Sequence, residues 1–160
     1  EILTDISKHP TRYVCVTGGE PLGQKATLVL LKSLVERGYQ TSLETNGAVT
    51  LQGVPDGVVK VVDFKCPDSG EAGANLWDNV QYLTPKDQVK FVVASRSDFD
   101  WSVKQCLEYQ IPEKCTVLFS PVHDAVSPRE LADWVLAAPF EATFQLQLHK
   151  TVWGVDARGV

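Results

Sequence analysis

The stretch "VCVTGGEPLGQKATLVLLKSLVERG" (Val14 to Gly38) decides how the rest of the chain reads. It leaves an apolar, β-branched strand pattern and enters a segment, 24–38, whose apolar residues recur at helical spacing. Gly38 stands where it suits the helix C-cap. Between strand and helix lie Gly18, Gly19, Glu20 and Pro21. A plain turn needs one glycine at most. An adjacent pair at a strand end implies that something lies against bare backbone there, since no Cβ intervenes.

Outward from this unit the alternation continues. The segments "RYVCVT" (12–17), "QTSLET" (40–45), "GVVKVVDFK" (57–65), "DQVKFVVA" (87–94), "CTVLFSPV" (115–122) and "TFQLQLHK" (143–150) read as strands. The near-continuous apolar run at 57–65 carries the mark of a strand buried on both faces. Helices are expected over 24–38, over 76–83 behind Asn75, and from Ser97 or Asp98 to about Tyr109. A further helix is expected over 127–138, with Ser127 as N-cap and Pro128 at the first helical position. Strands alternating with helices predict an α/β fold, a mostly parallel sheet with flanking helices, in one domain spanning 1–160.

Polar residues gather just after the strand ends. They are Gly18 to Glu20, Glu44 to Gly47, Asp63 and Lys65, Ser120 to Asp124, and His149 with Lys150. In a parallel sheet the carboxyl ends of the strands share one rim, and ligands bind there.

The formal net charge of -5 and the absence of a basic run argue against nucleic acid held by phosphate contacts. No apolar run reaches the roughly 18 residues that mark a membrane span. Cys15, Cys66, Cys106 and Cys115 form no C-x-x-C pair, so they signal neither zinc nor a dithiol redox site. They read as reduced, mostly buried thiols of a cytoplasmic protein. The 160 residues include no methionine and begin at Glu1, so an N-terminal portion is expected to precede them.

Taken together, "TGGEP" after one strand, "ETNG" after the next, "DFK" after a third and "SPV" after a later one resemble the radical S-adenosylmethionine (SAM) superfamily. The ending "QLQLHKTVWGVDARGV" is similar to that of the 7-carboxy-7-deazaguanine synthase family, which serves queuosine and deazapurine biosynthesis and hence tRNA modification. The resemblance covers essentially the whole chain. It implies a partial (β/α)-barrel of the radical SAM type whose N-terminal strand would precede Glu1.

It also implies residue roles. Gly18, Gly19 and Glu20 would meet the polar end of SAM, Glu20 neutralising nearby positive charge or fixing the turn, and Lys65 would pair with its carboxylate, with Asp63 and Phe64 carried over by position. Glu44 and Asn46 would bind ribose hydroxyls or order the loop beside them. Ser120, Pro121, Val122 and His123 would line the adenosine end. Thr17, Gln147, His149 and the terminal carboxylate of Val160 would meet the substrate, with Gln147 and His149 on one strand face. On the residues alone, other readings stand beside these. Asn46-Gly47 suits a turn, Thr17 a strand, Asp63 and Lys65 an internal ion pair, and His123 a surface loop.

In the family a [4Fe–4S] cluster is held by three closely spaced cysteines, and a magnesium ligand follows them. None of the four cysteines here copies that spacing, and the magnesium ligand is absent, so no catalytic or metal-binding residue is assigned. The implied reaction is that of a carbon–nitrogen lyase. It contracts 6-carboxy-5,6,7,8-tetrahydropterin to 7-carboxy-7-deazaguanine with loss of ammonia, using SAM, the cluster, Mg2+ and an external electron donor. Without a cluster loop the chain itself is expected to be inactive. Two alternatives stay open: a glycyl-radical-enzyme activating enzyme, which shares "GGEP", and a scaffold that binds SAM without turnover. The expected partners are the pterin and a second copy covering the sheet edge, with no nucleic acid and no membrane.

Overall fold

In the computed structural model, which describes residues 1–154 with the side chains of His149 and Thr151 outside the described set, six parallel strands form one sheet. They are β1 (Tyr13–Val16), β2 (Gln40–Thr45), β3 (Val58–Phe64), β4 (Gln88–Val93), β5 (Thr116–Pro121) and β6 (Thr143–Phe144). Their order across the sheet is their order along the chain. That order has a consequence for layering. When each crossover of the same hand adds the next strand on the same side, the connecting helices all fall on one face. A doubly wound sheet reverses direction and covers both faces; this one does not.

Helices α2 (Thr27–Glu36), α3 (Arg96–Glu108) and α4 (Pro128–Leu136) supply the cover. Leu31 of α2 packs with Leu43 and Val58. Phe99 and Cys106 of α3 and Leu131 and Val135 of α4 join Val62, Phe64, Val89, Phe91, Val117 and Phe119 in the main core. Register aligns Phe64 with Phe91 and Phe91 with Phe119, so these rings form a row under the helices. Two short helices, α1 (Ile2–Ile6) and α5 (Leu148–Trp153), stand near the two ends of the described chain.

The helix starts follow capping chemistry. Ser127 and Glu130 form a reciprocal capping box at α4, with Pro128 in the first turn. For α3 the N-cap is Ser95, which precedes both Ser97 and Asp98, because Ser95 Oγ accepts the Asp98 N–H. Asp98 instead turns its carboxylate to the N–H groups of Asp68 and Ala94. The segment 77–82 is a 3₁₀ turn behind Leu76, and Asn75 does not open it.

Two strand expectations need correction. The run at 57–65 is not buried on both faces: buried and half-buried residues alternate along β3 as they do along β4. Its valines alternate between the helix-covered face and an open one. The segment 143–150 is not a continuous strand. Pairing with β5 ends at Phe144, and the chain turns into α5 with Gln147 at its N-cap position. The shared strand face expected for Gln147 and His149 therefore does not exist.

Candidate functional site

The open face and the rim belong together. Parity along the strands places Cys15, Ser42, Glu44, Val61, Asp63, Lys90, Val92, Leu118 and Ser120 opposite the helix-facing residues. This face is polar near the carboxyl ends of the strands, where the loops carrying most of the expected site residues also emerge.

At the end of β1, Gly18 has φ +99° and Gly19 φ +48°, conformations that L side chains adopt at a cost. Among the described residues a Cβ at either would meet nothing within 4 Å, so the pair presents bare backbone. What fixes this loop is Glu20. Its carboxylate accepts the Leu22 N–H at 3.0 Å, the Thr45 hydroxyl at 2.8 Å and the Asn46 N–H at 2.8 Å. The first rim loop is thereby tied to the end of β2. Glu20 holds the loop in shape from behind. Asn46 Oδ1 in turn accepts the Ala48 N–H, so Asn46-Gly47 is a turn. Gly47 lies close over the core, with φ +73° and a Cβ position only 2.8 Å from the Phe64 ring.

At the end of β3, Lys65 Nζ pairs with Asp63 Oδ2 at 2.8 Å. Asn75 brackets the Lys65 peptide, accepting its N–H and donating to its C=O, both at 2.9 Å. The Phe64 side chain is fully buried on the helix-covered face, so only its main chain reaches the rim. Among the described residues, two buried polar atoms have no hydrogen-bond partner, Asp63 Oδ1 and Ser120 Oγ. Both belong to open-face residues near the carboxyl ends of their strands. Buried polar groups are paired in the great majority of cases, so these two orphans mark the rim as a candidate place for a polar ligand.

Two hollows complete the site. One, of about 240 Å³, is lined by Pro121, Val122, His123, Val126, Leu146 and Gln147 among others. His123 Nδ1 there lies 2.8 Å from the Asp124 carboxylate. The other, of about 600 Å³, spreads over the open face between Glu44, Lys90 and the segment 144–148. Glu44 also faces Thr17, whose hydroxyl lies 3.5 Å from its carboxylate. Gln147 and Leu146 border both hollows. The His149 side chain and all of Val160 lie outside the described residues.

Glycine backbone, an ammonium, unpaired oxygens and a part-apolar hollow suit a zwitterion joined to a nucleoside. They do not suit a metal cluster. Among the described residues no three of His, Cys, Asp and Glu gather to hold a metal ion. Burial pushes the Cys66 and Cys115 thiols up to about 12 and that of Cys106 higher still, while Cys15 alone is exposed.

An all-parallel sheet in chain order, helices on one face and a polar rim over the other define a partial barrel of the radical SAM type. No known family profile matches the chain. It is, however, 38% identical over 175 residues to the 7-carboxy-7-deazaguanine synthase of Koribacter versatilis, covering 100% of this chain and 77% of that one. It is 37% identical over 163 residues to the synthase of the same name from Chlorobaculum tepidum, again over 100% of this chain and 74% of the relative. The chain belongs to the 7-carboxy-7-deazaguanine synthase family. Among solved structures, QueE from Escherichia coli shares the fold with a TM-score of 0.70 at 19% identity, over 90% of this chain and 60% of that one. Streptococcus suis SuiB bound to S-adenosylmethionine shares it at 0.63 and 14% identity, over 99% and 44%.

Lys90 carries no motif in the sequence, Thr45 has no role of its own within "ETNG", and Asn75 reads there only as a helix start. Thr45 and Asn75 act through contacts with Glu20 and Lys65, which lie 25 and 10 residues away. Lys90 had a usable signal: a charge at strand parity inside an otherwise apolar run.

Proposed function

We propose that this chain provides the SAM- and substrate-binding body of a 7-carboxy-7-deazaguanine synthase, acting on 6-carboxy-5,6,7,8-tetrahydropterin as one folded unit over 1–160. The observation that carries the reading is the placement of the bare Gly18-Gly19 backbone, Lys65 and the unpaired Ser120 hydroxyl along one rim, above an open polar face. Radical chemistry that removes a substrate hydrogen is what SAM and a reduced iron–sulfur cluster supply when bound. The described residues do not fit a cluster or a magnesium site.

The chain's own residues bind and orient. Main-chain carbonyls at Gly18 and Gly19 accept the amino group of SAM. Lys65 spends one ammonium hydrogen on Asp63 and has two left for the SAM carboxylate. Ser120 Oγ and the hollow bordered by Val122 and His123 take the adenosine end. Glu44 meets a ribose hydroxyl or the pterin from the floor of the site. Thr17 and Gln147 orient the pterin ring, with the His149 side chain and the Val160 carboxylate as further contacts. The helix-covered side keeps water away from the back of the sheet.

Magnesium, an external electron donor and a second copy of the chain complete the reading. Strand β1 forms an outer edge of the described sheet with Tyr13 exposed, and pairing or cover would satisfy it. No helix among the described residues is long and apolar enough to cross a membrane, and a cytoplasmic site of action is part of the proposal. The test is turnover by a protein carrying this chain, reconstituted with iron and sulfide. Consumption of SAM with conversion of the carboxytetrahydropterin supports the assignment. Consumption of SAM with the pterin untouched, or activation of a peptide substrate instead, sinks it. SAM binding without turnover of either substrate leaves the scaffold reading in its place.

A further inference from the structure

The open-face hollow contains a cation with no assigned work. Lys90 stands on β4 and lines the hollow of about 600 Å³ with Glu44, Phe144, Gln145, Leu146 and Gln147. Its register partner is Asp63, but the Oδ2 oxygen of Asp63 is held by Lys65 at 2.8 Å. Among the described residues no carboxylate lies within 4.0 Å of the Lys90 ammonium. The two charges bordering the hollow, Glu44 and Lys90, are therefore held apart. Glu44 pairs in register with Val61 and Val61 with Gln88, which puts Lys90 two strands across and two residues further along. Two strand spacings alone are about 10 Å, which is the scale of a bicyclic ring bearing one substituent.

An ammonium on the wall of a concave, partly apolar hollow is an anion site in waiting. The lower local dielectric strengthens its pull on a carboxylate relative to open water, and such charge-assisted hydrogen bonds are the stronger kind. We propose that Lys90 is a substrate-binding residue whose ammonium pairs with the 6-carboxylate of the pterin, so that the carboxylated ring is chosen over its unsubstituted counterpart. This rests on the pterin reading given above and adds a residue and a specificity to it. The lysines divide the anions between them: Lys65 at the rim serves SAM, and Lys90 on the floor serves the substrate.

Stable, fluorescent pterins test this without turnover. Titration of the 160-residue chain with 6-carboxypterin and with pterin, which lacks the carboxylate, gives two affinities per variant, and a SAM titration gives a third. Lys90→Gln is expected to weaken 6-carboxypterin roughly 10- to 100-fold. The same change should leave pterin and SAM within about 3-fold, since neither offers that carboxylate. Lys90→Arg, which keeps the charge, should recover most of the loss, and binding of 6-carboxypterin alone should weaken as salt rises. Equal weakening of both pterins by Lys90→Gln overturns the assignment, because the lysine would then only shape the hollow. So does unchanged binding of 6-carboxypterin. A wild-type chain that binds SAM but neither pterin overturns the pterin reading and this residue with it, an outcome distinct from the failure of Lys90 alone.

Discussion

Two lysines on or beside one strand show what the two faces of the sheet are for. Lys60 lies on the helix-covered face of β3, and Lys65 just past its end on the open side. Lys60 is buried, and its ammonium lies 3.0 Å from Asp87, whose carboxylate also accepts the N–H groups of Lys60 and Thr84 and the Thr84 hydroxyl. Both carboxylate oxygens are hydrogen-bonded, so the pair is architecture. Lys65 is about a third exposed and pairs with a single Asp63 oxygen, and among the described residues the other has no partner. The same residue types make a closed knot on one face and an unfinished one on the other. An unfinished polar group is costly to keep, and under the proposed function a ligand completes it.

The largest effect that tests this contrast is on the closed knot. Asp87→Ala strands a buried ammonium and should cost about 3–5 kcal/mol in urea denaturation, while 6-carboxypterin binding by the folded fraction is unchanged. The knot also predicts acid sensitivity. Burial alone would raise the Asp87 carboxyl, but hydrogen bonds from Lys60 and Thr84 outweigh it and hold the group below the usual carboxylate range. The folded protein therefore binds this proton more weakly than the unfolded chain. The stabilisation is complete above about pH 4 and is lost as the pH falls through the lowered folded value. Denaturation midpoints measured from pH 7 down to pH 3 should fall steeply in wild type and more gently in Asp87→Ala. Parallel slopes would place the acid sensitivity elsewhere.

Two glycines give the next largest separation. Gly47→Ala places a Cβ 2.8 Å from the Phe64 ring at a positive φ. It should cost about 2–4 kcal/mol through strain and overpacking. Gly18→Ala meets no atom of the described residues within 4 Å and should cost only about 1–2 kcal/mol from φ, yet reduce SAM affinity by obstructing the bare backbone. If both variants lose stability equally and Gly18→Ala still binds SAM as wild type does, the glycine pair is only a turn.

What the sequence could say follows the same division. Strand β2 was readable to the residue over 40–45, and the Ser127-Pro128 start of α4 followed from local capping chemistry. The motifs at Gly18-Gly19 and Lys65 placed the rim. The run of valines at 57–65 misled, because the open face also carries Val59 and Val61, both only half-buried. The alternation in "QLQL" misled for another reason. Period two permits a strand, but pairing needs a neighbour, and it ends where Phe144 meets Phe119. A turn-fixing role for Glu20 was readable, but its partners Thr45 and Asn46 were hidden because they are distant in sequence. Long-range hydrogen bonds leave no periodic trace.

On the open face the expected losses are in binding. Lys65→Ala removes an ion pair that is partly exposed, so its stability cost should stay within about 1 kcal/mol. SAM affinity should fall roughly 10- to 100-fold with the lost charge-assisted contact. Calorimetric titration beside a melting curve separates the two quantities. A variant that melts early but binds SAM normally would make Lys65 a second Lys60 and erase the distinction between the faces.

The smallest effect costs the protein nothing and reads the faces chemically. Cys15 is exposed on the open side of β1, while Cys66, Cys106 and Cys115 are buried. Desolvation drives those three thiols well above neutral pH, so the reactive thiolate is scarce as well as sheltered. At pH 8 a water-soluble disulfide reagent should consume one thiol per chain quickly and the remaining three only after denaturant is added. If Cys15 lies against a second copy or another segment in solution, even the first reaction slows, and dilution that separates copies restores it. Rapid reaction of Cys66 in the native protein would mean that the helix-covered face opens, and the contrast between closed and unfinished faces would fail at its better-packed side.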